Sequence, residues 1–280
     1  MTQTILVPTD FSNNSLTATH YALELAQIMH ADIHILHAYR PFTSAFQSLL
    51  ANESDEQRAQ IVAEKGLADF VQTLGQNSRV NITAHAVQNN LLEAVEAYTA
   101  KNNVSLVVMG TRGASGIRKD LLGSNTYDLA KHIAQPMLVV PEHAPPFKLD
   151  KVVFFSDYQE RDIKTLRGLQ SLFGEVSPAI CTLVHIHECS APTEAEQKEL
   201  EEWQSMLAAK TAFNNLTAEL VHVQENVDSV NEILERLQAD LTLLTLVGGR
   251  NFFKRLFQKS LAREIILNPK TPVLLTGGVE

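Results

Sequence analysis

The chain has 280 residues, 45% of them hydrophobic and 20% charged, the balance of a globular protein with room for one large or two small domains. No apolar run approaches the length of a membrane span, and a formal net charge of −9 excludes general nucleic-acid binding, which needs a basic face against phosphates. Two cysteines, Cys181 and Cys189, do not make a disulfide framework, and the amino terminus carries no charged segment leading into a long apolar one, so a cytoplasmic protein is expected.

Thr4 to Pro8 reads as a short buried strand with Asp10 just past its end. Ser12 is a natural N-cap for a helix in which Ala18, Ala22, Leu25, Ala26 and Met29 recur at helical spacing. A second strand spans Ile33 to Ala38, an amphipathic helix Ala51 to Leu74, a third strand Val80 to Val87, a helix Leu91 to Ala100, and a fourth strand Val104 to Met109. That strand empties into a loop marked by Gly110, Gly113, Gly116 and Gly123, with Arg112, Arg118 and Lys119 adding charge. Ser124 opens a helix to Ala134, and Pro136 to Val140 forms a fifth strand. Strands alternating with helices at this pace predict βαβ units and a parallel sheet covered on both faces. A glycine loop running into a helix N-terminus is a phosphate-binding layout, because backbone N–H groups can approach an anion there.

The proline-rich segment from Pro141 to Lys148 reads as a linker. After it the pattern restarts. Lys151 to Asp157 echoes Ile5 to Asp10, Leu183 to His187 echoes Ile35 to Tyr39, Leu241 to Arg250 echoes the fourth strand with its Gly-Thr-Arg, and Thr271 to Leu275 echoes Gln135 to Val139. Four echoes in one order indicate a duplicated domain. The expected division is 1–142 and 151–280, with 143–150 between. The offset between copies falls from 147 residues at Asp10 and Asp157 to 138 at Gly110 and Gly248, which predicts a shorter helical region in the second copy.

Gly110, two residues, Gly113, nine residues, Gly123 and then Ser124 make a pattern that resembles the ATP-binding signature of the universal stress protein family. The Pro-Thr-Asp after the first strand, the Met before the first glycine and the Pro before the last strand resemble that family too. The resemblance covers nearly the whole chain as a tandem pair of domains. It implies two open parallel five-stranded sheets covered by helices, of the adenine-nucleotide α-hydrolase-like kind, whose final strands pair to make a pseudo-dimer within one chain. It also implies ATP with magnesium as cofactor. Pro8, Thr9 and Asp10 would line the adenosine pocket, Ala38 would lie against adenine, and Met109 and Gly110 would border the ribose. Gly113, Gly123, Ser124, Asn125 and Thr126 would hold the phosphates, with Arg112 nearby.

The second copy departs from this pattern. Gly248 or Gly249 can stand for the first glycine, but Asn251 and Lys259 replace the others before Ser260, the interval is two residues shorter, and Phe252, Phe253 and Phe257 add apolar bulk. One working nucleotide site, in the first domain, is therefore expected. A grip on an anion by Arg250, Lys254, Arg255 and Lys259 is the lesser reading of the second loop.

No catalytic constellation emerges. A Walker A motif is missing, and so are the Ser-Gly-Gly-x-Asp-Ser and His-x-Gly-His runs expected of related hydrolases and nucleotidylyl transferases. His185 and His187 share a strand face near the two cysteines, but no second pair at ligand spacing completes a zinc site. Asp10 on its own reads better as a turn or capping aspartate, and it is the resemblance that brings in the ribose-binding reading. The expected function is a regulatory ATP-binding stress-response protein acting on an unidentified protein partner. The alternatives are a weak ATPase, with Ser124 and Thr126 the first residues to test, and a binder of a non-nucleotide small molecule. Dimerisation of the whole chain is left open.

Overall fold

The structure is a computed structural model and describes residues 3–41, 49–75, 80–111, 124–174, 176, 178–187, 191–211, 213, 215–222, 227–245 and 269–276. The first half runs β1 (Gln3–Pro8), α1 (Asn13–Met29), β2 (Ala31–Tyr39), α2 (Leu49–Thr73), β3 (Ile82–Gln88), α3 (Leu91–Lys101), β4 (Val104–Gly110), α4 (Ser124–His132) and β5 (Met137–Val140). The second runs β6 (Lys151–Phe155), α5 (Arg161–Phe173), β7 (Ile180–His187), α6 (Glu194–Lys210), β8 (Leu216–His222), α7 (Val227–Arg236), β9 (Leu241–Thr245) and β10 (Val273–Thr276). The expected shortening falls in α6, which has 17 residues against 25 in α2.

The ten strands among the described residues form one sheet in the order β3-β2-β1-β4-β5-β10-β9-β6-β7-β8. Each half is parallel throughout, and the two meet where β5 and β10 pair antiparallel, with Val139 opposite Val273, Leu138 opposite Leu274 and Met137 opposite Leu275. These six side chains are all buried. Each half would otherwise present a short, largely apolar edge strand, and the pairing covers both at once. Alternation along the strands then sorts the core. Ile5, Val7, Leu138 and Leu274 pack under α1, α2, α5 and α6, whereas Leu6, Met137, Val139 and Val273 pack under α3, α4 and α7. This is the two-sided burial that makes parallel strands read as continuous apolar runs.

Local chemistry sets the helix ends. Ser12 accepts from the Ser15 N–H at the start of α1, and Asn90 accepts from the Glu93 N–H at the start of α3. Thr193 and Glu196 form a reciprocal capping box on α6.

The segment between the halves is pinned rather than loose. Phe147 stands edge-on to Tyr21 of α1, with ring centres 5.8 Å apart, and stacks on Phe173 of α5 at 5.6 Å. Its N–H donates to the Glu24 carboxylate at 2.9 Å. Proline-rich composition had suggested only a connector, but the one aromatic residue within it joins the first helices of the two halves.

Because the seam is shared core, Leu274→Ala is expected to cost roughly 2–5 kcal/mol and to destabilise both halves together. Urea unfolding followed by Trp203 fluorescence, which reports the second half, and by circular dichroism should give coincident transitions. A Trp203 transition separated from the dichroism transition would show that the halves unfold independently.

Candidate functional site

The carboxyl ends of β1, β2 and β4 lie side by side, where ligands of open parallel sheets collect. Pro8 is buried at the end of β1, and pairing with β2 continues one residue further through Thr9 N–H to the Leu36 carbonyl at 2.9 Å. The Thr9 side chain is buried and committed to the protein: its hydroxyl donates to Ser15 Oγ at 2.9 Å and accepts from the Phe11 N–H at 3.0 Å. Asp10 comes next and is exposed, with Oδ1 accepting from the Ser12 N–H at 3.1 Å. The turn aspartate and the ligand-facing aspartate are thus compatible in one residue.

Phe11 has φ 65°, a left-handed conformation that is uncommon for a bulky side chain. The turn throws its ring onto His37 of β2, stacked at 4.1 Å, and His37 Nδ1–H donates to the Thr9 carbonyl at 2.8 Å. This brace fixes the loop that presents Asp10. Sequence periodicity carried no sign of it, since the two residues are far apart in the chain.

Ala38 and Met109 are half-buried on the α3/α4 side of the sheet, against the same core as Leu91 and Leu92. On that side an open cleft of about 410 Å³ lies between the two helices, lined by Asn90, Leu91, Leu92, Asn125, Asp128 and His132. Asn125 is exposed there. Thr126 instead turns inward, buried, and donates to the Gly110 carbonyl at 3.2 Å, tying the start of α4 to the end of β4. Ser124 opens α4 as expected. Arg112, Gly113 and Gly123 lie outside the described residues, as do Gly116, Arg118, Lys119 and the second loop from Gly248 to Ser260.

Gly110 has a structural reason to be glycine. A Cβ there would stand 2.8 Å from the Asn14 carbonyl oxygen, so the close approach that requires glycine is that of the α1 backbone. Asn14, which motif matching missed, is itself buried with its Oδ1 lacking a hydrogen-bond partner at this junction.

The second half repeats the brace with different chemistry. Ser156 N–H donates to the Val184 carbonyl at 3.0 Å, Tyr158 has φ 60° and stacks on His185 at 4.0 Å, and His185 Nδ1–H donates to the Ser156 carbonyl at 2.9 Å. A ring nitrogen of His185 is therefore spent on this brace. Where Ser15 stands in α1, Asp162 stands in α5, fully buried and accepting from the Ser156 hydroxyl. Where Asn14 stands, Arg161 stands, ion-paired to Asp157. Burial pushes the Asp162 carboxyl up to about 7; the Ser156 hydrogen bond opposes the rise, Asp157 adds to it and Arg161 opposes it. Burial also raises Asp157, against the pull of Arg161.

A profile of the Universal stress protein family matches residues 1–141. The chain belongs to the universal stress protein family. A universal stress protein of Methanocaldococcus jannaschii is 29% identical over 138 residues, spanning 49% of this chain and 80% of that protein. One of Mycolicibacterium smegmatis is 24% identical over 293 residues, spanning 97% of this chain and 96% of that protein. The crystal structure of a universal stress protein from Archaeoglobus fulgidus shares the fold with a TM-score of 0.66 at 16% identity, covering 98% of both chains. Tandem universal stress protein halves joined in one sheet account for the duplicated pattern. Among the described residues, no helix is long and apolar enough to cross a membrane.

Two outcomes follow from the geometry. Gly110→Ala must push α1 off β4, and a loss of roughly 1–3 kcal/mol is expected in urea unfolding even without ligand. Asp162 has its folded-state value raised from 3.8 to about 7, so its contribution to stability is complete below the ordinary value and is lost as pH rises through about 7. Between about pH 5 and about pH 8, the urea midpoint of Asp162→Asn should therefore fall less than that of the parent.

Proposed function

We propose that the chain is a cytoplasmic ATP-binding stress-response protein, with nucleotide held in the first half and acting by regulation rather than catalysis. The observation that supports this reading is the adjacency of the carboxyl ends of β1, β2 and β4, which carry three groups. These are the exposed Asp10, the half-buried Ala38 and Met109, and the chain leaving Gly110 toward the glycine-spaced loop and the α4 start. The chemistry suits an adenine nucleotide. Ala38 and Met109 offer apolar surface to a base, and the Asp10 carboxylate can accept from ribose hydroxyls on a loop already held by the Phe11–His37 brace. Gly113, Gly123 and Ser124 would present backbone N–H groups to phosphates, and Asn125 stands exposed at the same helix end. Arg112 would add charge, and magnesium would enter with the triphosphate.

Thr126 is read differently. Its hydroxyl is already engaged by Gly110, so it would position the helix end rather than contact phosphate directly. Pro8 and Thr9 likewise would shape the pocket from beneath.

Bound nucleotide can alter a partner interaction only through different affinities for two conformations. The described anchor for such a change is the start of α4, tied to the Gly110 carbonyl through Thr126. A protein partner reading that surface is the regulatory half of the proposal.

Calorimetric titration with ATP and magnesium, together with chromatography of nucleotide released on denaturation, tests the reading. One ATP per chain is expected. Gly113→Val and Gly123→Lys should weaken binding at least tenfold, about 1.4 kcal/mol, and Lys259→Ala should leave it unchanged. Absence of binding, or equal occupancy of both halves, would contradict it.

A further inference from the structure

The sheet ends in β3 on one side and in β8 on the other. Along β3 the backbone groups of alternate residues point to opposite sides of the strand. Odd-numbered residues turn toward β2, as the Ile33 N–H bonded to the Asn81 carbonyl and the Asn89 N–H bonded to the Tyr39 carbonyl establish. Ile82, Ala84, Ala86 and Gln88 therefore turn their N–H and C=O groups outward, and among the described residues nothing pairs with them. Beside this edge lies an open recess of about 500 Å³, lined by Leu67 and Ala68 of α2, by Ala84, Ala86 and Val87, and by Tyr98 of α3.

Open sheet edges are blunted by charged side chains or proline, which oppose pairing with another chain. The two edges of this sheet differ in that respect. His85 stands opposite Leu36 in β2, and Glu219 stands opposite Val184, the corresponding residue of β7. Glu219 thus puts a charge at the middle of β8, ion-paired to Arg236 of α7. β3 reads Ile-Thr-Ala-His-Ala-Val-Gln, with no acidic residue, lysine, arginine or proline. The same seven residues are nearly symmetric about His85. Alanine flanks it on both sides, and the β-branched Thr83 and Val87 follow at equal distance. Both alanines occupy outward-facing backbone positions, where a small side chain lets another strand approach. Ala84 is exposed, and the α2 residue lining the recess beside it, Ala68, is exposed and small too.

We propose that the free edge of β3 is a dimer interface, pairing antiparallel with β3 of a second copy about a two-fold axis through His85. A two-fold contact uses the same patch on both partners, so it needs a strand that complements itself when reversed, and β3 does. Ala84 would exchange both backbone bonds with Ala86 of the second copy, and Ile82 with Gln88 of the second copy. Thr83 would face Val87 of the second copy in a β-branched pair, a favoured partnership across strands. The two His85 residues would stand opposite each other at the axis. The same arrangement at β8 would set Glu219 against its own copy, and like charges directly opposite are destabilising. Pairing of β3 with β8 of a further copy would leave an edge open at each end and propagate, whereas the two-fold contact closes. The seam between β5 and β10 lies within one chain, so this edge joins chains rather than halves. None of this depends on nucleotide binding.

Sedimentation equilibrium of the full chain without nucleotide tests the interface. The mass should rise with concentration from 31.0 kDa toward twice that value. Ala86→Pro removes an outward N–H that β2 does not use, a change that an edge strand tolerates. It should weaken the dimer at least about tenfold. Ala218→Pro is the control: the Cys181 N–H bonded to the Asn215 carbonyl makes Ala218 an outward position of β8, and the dimer should be unchanged. His85→Glu, which sets two carboxylates face to face at the axis, should weaken the dimer as Ala86→Pro does. Circular dichroism and urea midpoints verify that each variant is folded. The register is tested separately by His85→Cys in a Cys189→Ser background. Residues at the axis form the closely spaced pair without backbone bonds, so mild oxidation should join two chains through this position. A chain that is monomeric at every concentration overturns the proposal. So does a dimer that Ala86→Pro and His85→Glu leave as tight as the parent, growth of species beyond the dimer, or a dimeric His85→Cys that does not cross-link.

Discussion

The antiparallel pairing of β5 with β10 is the constraint on which the molecule depends. It joins two parallel half-sheets through Met137, Leu138, Val139 and their partners Leu275, Leu274 and Val273, all buried. Neither half could leave such a strand in solvent without offering an apolar, unpaired edge. The pairing also fixes the relation between the two strand-end sites. Because the final strands run in opposite directions, the carboxyl ends of the two halves leave the sheet on opposite rims.

Divergence is what the loops after β1 and β6 display. The same brace, a left-handed aromatic residue stacked on a histidine that donates to the strand-end carbonyl, is kept in both. In the second half the aspartate that the brace presents is ion-paired to the Arg161 guanidinium. Asp162 is costly there, as its raised proton affinity shows, and it lies in the half whose glycine spacing is also broken.

Much of this was legible in the sequence. The alternation of apolar strands with helices, the four ordered echoes and the shorter second helical region predicted the duplicated parallel architecture, and the glycine spacing pointed to the family. The contacts that finish the site were not legible, because periodicity reports which face of an element is buried and not which distant residue meets it. Gly110 illustrates this. Its spacing suits a phosphate loop, but the atom that forbids a side chain there is the Asn14 carbonyl of α1. Thr126 sits where a phosphate contact is expected, and its hydroxyl also donates to the Gly110 carbonyl. Phe147 sits within a run whose composition says linker, and it packs between Tyr21 and Phe173.

The central claim is that one sheet carries two strand-end sites of which only the first takes nucleotide. Hydrogen–deuterium exchange of the intact chain with and without ATP and magnesium tests it most directly, because both sites are followed in the same molecule. The account predicts added protection in peptides covering 8–12 and 108–126, with none in peptides covering 155–163. Protection of both sets on adding ATP, or of the second set alone, would contradict it.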